Sequence, residues 1–104
     1  MTYQLTVLFL RPDDPAAFDA HYESTHAPLA ARIPGLRSYS AFHPDPDPDG
    51  NPPAEYLVAT LVFDDRRALS KGLRSPEGDA AARDIPRFAS GGATMLTGEA
   101  TTYV

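Results

Sequence analysis

The sequence contains no cysteine and no tryptophan among its 104 residues. The absence of cysteine excludes disulfides, thiolate nucleophiles and cysteine-ligated zinc. A chain without cysteine is compatible with a reducing compartment, and we expect a cytoplasmic protein.

Positive charge is also scarce. Nine Lys and Arg residues stand against 14 Asp and Glu residues, and the formal net charge is −5. Nucleic acids and anionic membranes are bound by clustered basic side chains, which this sequence lacks. The N-terminal apolar run, residues 5–10, is too short to span a membrane and has neither a basic leader nor a cleavage site. We therefore expect neither a nucleic acid nor a membrane as a partner.

Apolar alternation and turn signals predict the order β-α-β-β-α-β. The predicted strands are residues 3–10, 36–43, 55–63 and 94–104. The predicted helical regions are residues 14–33, 64–73 and 75–85, with Asp14, Asp64 and Ser75 as N-caps. Pro86 is expected to end the last helix near Ile85. This order is typical of an α+β, ferredoxin-like fold with a four-stranded antiparallel sheet.

The first and third predicted strands are apolar on both alternations. In residues 3–10, Leu5, Val7 and Phe9 alternate with Leu8 and Leu10. The helices can cover only one face of the sheet, so a monomer would expose a large apolar patch, which soluble monomers rarely do. The sequence therefore predicts a homodimer that packs its sheet faces together.

One side of the first helix carries an apolar stripe that is expected to face the sheet. Its members fall within about 60° of each other at about 100° per residue. They are Phe18, Tyr22, Leu29 and Ile33. His26 lies at the edge of this stripe, about 50° from its centre.

Pro28 follows His26 by two residues, inside the predicted helix. A proline here leaves the carbonyl of Ser24 without its helical donor and is expected to push Ala27 away from α geometry. The imidazole of His26 can then turn into the cleft between helix and sheet, where its titration near neutral pH suits proton transfer. The alternative is that His26 bonds a backbone carbonyl and Pro28 only bends the helix.

Two blocks of sequence together resemble a known family. The first block carries His26, Pro28 and Leu29, followed by Pro-Gly-Leu at 34–36 and Tyr39. The second carries Ser-Pro-Glu-Gly at 75–78 and Asp-Ile-Pro-x-Phe at 84–88. Both resemble the EthD-like family, named for ethyl tert-butyl ether degradation proteins. The resemblance implies a single domain over residues 1–104, with a ferredoxin-like monomer that dimerises into an α/β barrel.

The resemblance implies a range of functions. Related dimeric barrels include muconolactone isomerases, cofactor-free oxygenases of aromatic polyketides and EthD-type decarboxylases of hydroxylated aromatics. We expect an apolar cleft for a small aromatic or lactone-like metabolite, with isomerase, decarboxylase or oxygenase chemistry in which His26 is the acid or base. The alternatives are a non-catalytic binding or accessory protein of a degradation pathway and a purely structural dimer, since a binder also needs an apolar pocket.

Four further side chains are candidates for the site. Tyr39, on the second strand, is predicted to donate a hydrogen bond to a substrate oxygen. Contacts with the substrate are predicted for Tyr22, Leu29 and Phe18, from the apolar stripe. Packing in the core is the alternative role for the tyrosines.

Neither a metal nor a cofactor is predicted. His21 lies about 140° around a straight helix from His26, so the two cannot share a metal. Residues 45–51 imitate the start of a calcium loop, but Tyr56 stands where that loop needs a glutamate. The sequence has no phosphate loop or dinucleotide fingerprint. Haem-degrading barrels of the related kind usually rely on a tryptophan, which is absent.

Overall fold

The computed structural model describes residues 1–104. Its strands are β1 Thr2–Leu10, β2 Leu36–Phe42, β3 Glu55–Phe63 and β4 Ala93–Ala100. Its helices are α1 Pro15–His21, α2 Ala27–Ala30, α3 Arg66–Arg74 and α4 Pro76–Phe88, and a π-helical segment, Tyr22–His26, joins α1 to α2. The strands form one sheet in the order β2-β3-β1-β4, and each neighbouring pair is antiparallel. This topology confirms the predicted α+β, ferredoxin-like fold.

The helices cover one face of the sheet and bury the core against it. Leu5, Val7 and Phe9 of β1 are buried on this face, and so are the residues of β3 directly opposite them. On the other face, Leu8 is half-buried and Leu96 of β4 is exposed. The sheet therefore has one closed face and one open face, as the double alternation of β1 predicts.

Short polar side chains begin three of the helices. Asp14, Asp65 and Ser75 each accept a hydrogen bond from the amide three residues further on. The cap of α3 is therefore Asp65, and the prediction of Asp64 is wrong by one residue. Asp64 is instead held by Arg37 of β2, whose guanidinium donates to both carboxylate oxygens at 2.7 and 2.9 Å.

The last helix, α4, continues through Pro86 to Phe88, so the predicted end near Ile85 is wrong. Pro86 lies on the exposed side of the helix, and the amide of Ala89 still bonds the carbonyl of Ile85. One missing hydrogen bond on the solvent side does not end a helix whose inner side is packed on the sheet. No helix in the structure has both the length and the apolar character needed to cross a membrane.

Candidate functional site

The helical region between β1 and β2 changes its hydrogen-bond register at its centre. In the π-helical segment an amide bonds the carbonyl five residues back, as Ala27 does with Tyr22. Pro28 stands in the first turn of α2, directly after this wider turn. Ala27 has φ −59° and ψ −43°, so the predicted loss of α geometry there is wrong. The wider turn makes room for the proline ring instead, and the helix ends at Ala30.

This change of register brings two histidines to one carboxylate. Bonding between residues five apart stacks His21 near His26, whereas a regular α-helix would separate them by about 140°. His21 Nε2 lies 2.9 Å from both carboxylate oxygens of Asp84, and His26 Nδ1 lies 3.0 Å from Asp84 Oδ2. Asp84 on α4 is 1% exposed, and His26 is 5% exposed. The expectation that the two histidines diverge is therefore wrong, because the helix is not a regular α-helix here.

The carboxylate determines which nitrogen of His26 carries the hydrogen. Burial acts to raise the pKa of Asp84, but the hydrogen bonds from His21 and His26 outweigh it and hold that pKa below its usual range. An ionised carboxylate only accepts, so Nδ1 of His26 carries the N–H that faces it. Burial also lowers the pKa of His26, against the opposing effect of Asp84. The ring is therefore neutral at neutral pH, and its Nε2 carries a lone pair.

His26 forms part of the wall of a cavity between the helices and the sheet. The cavity has a volume of about 120 Å³. Its apolar wall includes Leu5, Val7, Ile33, Leu61, Ala81 and Ile85. Ala82 of α4 and Met95 of β4 also line it and are exposed, so the cavity opens between these two elements.

The second ring nitrogen of His26 is free to meet a ligand. Nε2 makes no hydrogen bond within the chain, whereas every fully buried polar side-chain atom of the protein has a partner. Nε2 therefore retains accessible surface. Since His26 is otherwise enclosed and lines the cavity, this nitrogen is available to a ligand that enters there.

Tyr22 and Tyr39 form the other polar part of the wall, where their hydroxyls are hydrogen-bonded to each other. Burial is the main cause that raises the pKa of both phenols, so both stay protonated at neutral pH. One hydroxyl donates to the other, and the second keeps its own hydrogen for a further acceptor. The centres of the Tyr22 and His26 rings are 5.2 Å apart. The cavity thus combines an acceptor nitrogen and a donor hydroxyl in an apolar enclosure.

Phe18 and Leu29, which the sequence predicts as substrate contacts, do not line this cavity. Phe18 is buried among aromatic rings, with its ring centre 5.6 Å from that of Phe9 and 5.0 Å from that of Phe88. Leu29 is half-buried on α2 and packs against the core. The apolar stripe of the first helical region therefore divides into two groups. Tyr22 and His26, in the π-helical segment, line the cavity, whereas Phe18 and Leu29 pack in or against the core.

Asp84 and its partner His21 are the site residues that the sequence-based prediction lacks. Asp84 is the one that a sequence pattern could have indicated. It lies three residues after Ala81 and four before Phe88, and both of these are buried. A carboxylate in a buried stripe of a helix implies a polar partner, because burying an unpaired charge is costly. That pattern is visible in the sequence. Its partners are not, because the π-helical turn that brings them together has no sequence period of its own.

The structure contains no group of three or more side chains arranged to hold a metal ion. The separations in the cluster of His21, Asp84 and His26 are those of hydrogen bonds. In the proline-rich loop between β2 and β3, the carboxylate of Asp47 accepts hydrogen bonds from the amides of Asp49 and Asn51. This carboxylate is thus used within its own loop.

Comparison with known proteins identifies the family. A family model described as the EthD domain matches residues 11–92. The chain belongs to the EthD family. An uncharacterized 11.0 kDa protein in the thcB-thcC intergenic region of Rhodococcus erythropolis is 46% identical over 94 residues, which are 90% of each chain. The crystal structure of an EthD family protein from Bacillus halodurans matches with a TM-score of 0.91 at 37% identity, covering 97% of this chain and 100% of that one.

Two more distant structures share the fold alone. SnoaB, a cofactor-independent oxygenase from Streptomyces nogalater, matches with a TM-score of 0.68 at 18% identity, over 99% of this chain and 95% of that one. A dimeric ferredoxin-like protein of unknown function from Thermobifida fusca matches with a TM-score of 0.69 at 16% identity. The match covers 93% of this chain and 89% of that one.

Proposed function

We propose that this EthD-family protein binds a small aromatic or lactone-like metabolite in its cavity and acts on it without a cofactor, with His26 as the acid–base group. The placement of His26 carries the proposal. Its Nδ1 is held by the buried Asp84, its Nε2 has no partner in the chain, and the residue lines an apolar cavity. A carboxylate bonded to one ring nitrogen fixes the tautomer and stabilises the imidazolium that forms when the other nitrogen takes a proton.

The chemistry begins with a proton transfer at Nε2 of His26. When Nε2 takes a proton from the ligand, the carboxylate of Asp84 balances the charge on the imidazolium. The electron pair left on the ligand moves to a conjugated oxygen, which accepts the free hydrogen of the Tyr22–Tyr39 pair. An isomerase then returns the proton to a different carbon. In a decarboxylase the proton comes from the carboxyl group of the ligand, the C–C bond breaks to release carbon dioxide, and the proton returns to the carbon left behind. In an oxygenase the carbanion reduces dioxygen to a peroxide on the same carbon, the imidazolium returns its proton to that peroxide, and loss of water leaves a carbonyl.

The cavity also limits the size and polarity of the ligand. Its volume is about 120 Å³, and an engineered apolar cavity of about 150 Å³ accommodates benzene. Among the lining residues, only His26 and the tyrosine pair have nitrogen or oxygen atoms in their side chains. These properties favour a single-ring compound with an oxygen at the end that faces the tyrosines.

The open face of the sheet supports the proposal that the protein is a homodimer. Phe42 of β2 is 59% exposed and Leu96 of β4 is 54% exposed on this face, with Val58 and Leu8 half-buried between them. Exposed apolar surface of this kind marks an interaction site. Light scattering at micromolar concentration should give twice the chain mass, and Leu96→Glu should give a folded monomer.

The control for this variant is Thr97→Glu, on the same strand but directed to the helix side of the sheet, opposite Leu5. It should leave the dimer intact. A wild-type protein of single chain mass would contradict the packing of two sheets against each other.

A ligand screen tests the proposed activity. Phenols, aromatic acids and lactones are screened by thermal shift, and binders are followed for turnover with the wild-type protein, His26→Gln and Tyr39→Phe. His26→Gln should retain binding and lose turnover, and Tyr39→Phe should weaken binding of oxygen-bearing probes. The exposed residues His43 and Tyr103 provide the matched controls His43→Gln and Tyr103→Phe, which should behave as wild type.

Three outcomes decide between the candidate functions. Turnover that survives in His26→Gln would contradict the role of His26. Binding without turnover of any probe would favour the non-catalytic binding protein. A cavity that takes up none of the probes would favour a structural dimer.

A further inference from the structure

The two histidines bonded to Asp84 face different surroundings. His26 is enclosed and lines the cavity. The side chain of His21 is 28% exposed, so it can exchange protons with the solvent. Both bond the same carboxylate, at 2.9 and 3.0 Å. The site therefore holds one negative charge that can balance a proton on either ring.

We propose that His21 is a positioning residue that controls the proton occupancy of His26 through Asp84. The proposal deepens the proposed function of the same site and rests on it for its consequence in catalysis. When His21 takes a proton from the solvent, it forms an ion pair with Asp84 and uses the only negative charge of the cluster. A second proton on His26 would leave a net positive charge in a buried site, which is unfavourable. His26 thus accepts a proton from a ligand most readily while His21 is neutral.

Phe88 holds both imidazoles in this arrangement. The ring of His21 stacks on Phe88 with centres 5.1 Å apart and planes inclined by 23°. The centre of the His26 ring lies 4.8 Å from the centre of the Phe88 ring. One aromatic side chain therefore packs against both rings and favours their orientation toward Asp84.

Few other charges reach the cluster. The surface groove beside His21 is lined by Asp13 and Asp14, which precede α1, and by Arg87 of α4. The titratable groups near His26 are Tyr22, on its own segment, and Tyr39 of β2, whose hydroxyl is hydrogen-bonded to that of Tyr22. Both phenols are neutral. β1 contributes only the apolar ring of Phe9. Asp84 is therefore the charge that links the two histidines.

The test is a pH titration of the three histidine ring signals by NMR, with no ligand present. In the wild-type protein the His26 signal should show an inflection at the pH where His21 titrates, as expected for interacting sites. His21→Gln removes the charge but keeps a donor for Asp84, and His21→Phe keeps the stacking on Phe88 but removes both charge and donor. Both should move the His26 midpoint to higher pH. Asp84→Asn should move it to lower pH, and the control His43→Gln should leave it unchanged.

Coupling through Asp84 predicts these opposite shifts, whereas a purely structural role of His21 predicts none. A His26 midpoint in both His21 variants that matches the midpoint in His43→Gln would overturn the proposal. So would a wild-type His26 curve with no inflection where His21 titrates, which decides the matter even if the variants do not fold. Because the titration needs no ligand, a failed ligand screen with intact coupling rejects only the proposed activity, and ligand turnover without coupling rejects only the role of His21.

Discussion

Filling the cavity tests whether its space is kept for a ligand. An enclosed apolar cavity costs about 24 cal/mol per Å³. Because this cavity of about 120 Å³ is open at one side, its cost to the free energy of unfolding is at most about 3 kcal/mol. Ala81 of α4 lines the cavity and is 6% exposed. Ala81→Leu adds three carbons to this space, which is worth up to about 2.4 kcal/mol at about 0.8 kcal/mol per buried methylene. Strain from imperfect fit costs about 1–3 kcal/mol.

With the full gain, the free energy of unfolding of Ala81→Leu should therefore lie between about 0.6 kcal/mol below and about 1.4 kcal/mol above that of the wild type. Its affinity for single-ring ligands should fall at least tenfold, because the leucine occupies their place. Urea denaturation and ligand titration measure the two quantities, with Ala20→Leu on the exposed side of α1 as the matched control. A loss of stability above about 3 kcal/mol would show that the space does not exist in solution. Unchanged affinity would place the ligand elsewhere.

Three further predictions concern the elements around the site. Gly78→Ala should destabilise the protein by about 2 kcal/mol or more in urea denaturation, because a Cβ would lie 2.3 Å from the carbonyl oxygen of Gly72. Gly98→Ala is the control, since its Cβ would meet no atom within 4 Å. The free energy of unfolding should decrease as the pH falls below about 6.5, the ordinary pKa of histidine, because burial lowers the pKa of His26 in the folded state and the unfolded chain then binds the proton more tightly. Hydrogen bonds that outweigh burial lower the pKa of Asp84 in the same sense, so stability should fall further below about pH 4. The slope between pH 7 and 5 should be smaller in His26→Gln than in His43→Gln; an equal slope would contradict a neutral buried His26. Pro28→Ala removes the clash that disfavours α register but leaves both bonds to Asp84, so the turn should stay π-helical, the free energy of unfolding should change by less than about 1 kcal/mol and ligand affinity should be unchanged. Calorimetry and ligand titration on one sample measure both, and a weakened affinity would show that the proline itself holds His26 at the cavity.

Most of the fold follows from local patterns that the sequence displays. Alternation in β1 and β3 predicts two strands and their buried faces, and the caps Asp14 and Ser75 mark helix starts to the residue. The predicted end of α4 near Pro86 is wrong because the cost of a proline depends on whether its side of the helix is exposed to solvent. That exposure is set by tertiary packing. The family is also predictable, because the two motifs that resemble the EthD-like family are visible in the sequence without a structure.

The candidate site is less predictable, because its members meet only through a change of helical register. His26, Tyr22 and Tyr39 follow from the sequence and do line one cavity. Asp84 and His21 do not, since a period of 3.6 residues turns His21 away from the core. No hydrophobic pattern distinguishes a π-helical turn of five residues from the α-helix on either side of it.

The proline and the two histidines together account for that turn. A regular α-helix through Pro28 would lose a hydrogen bond and force its ring against the carbonyl of Ser24, which costs about 3 kcal/mol or more. Widening the turn relieves this clash, and it also carries His21 and His26 to Asp84, where each hydrogen bond to the charged acceptor contributes about 1.5–3 kcal/mol. A regular α-helix here would therefore contain the proline clash and lack the hydrogen bonds to Asp84. The π-helical segment avoids the clash and forms the hydrogen bonds. A buried carboxylate on α4 and an exposed proline on α2 therefore act on the same five residues from opposite sides, and the position of His26 at the cavity is the result.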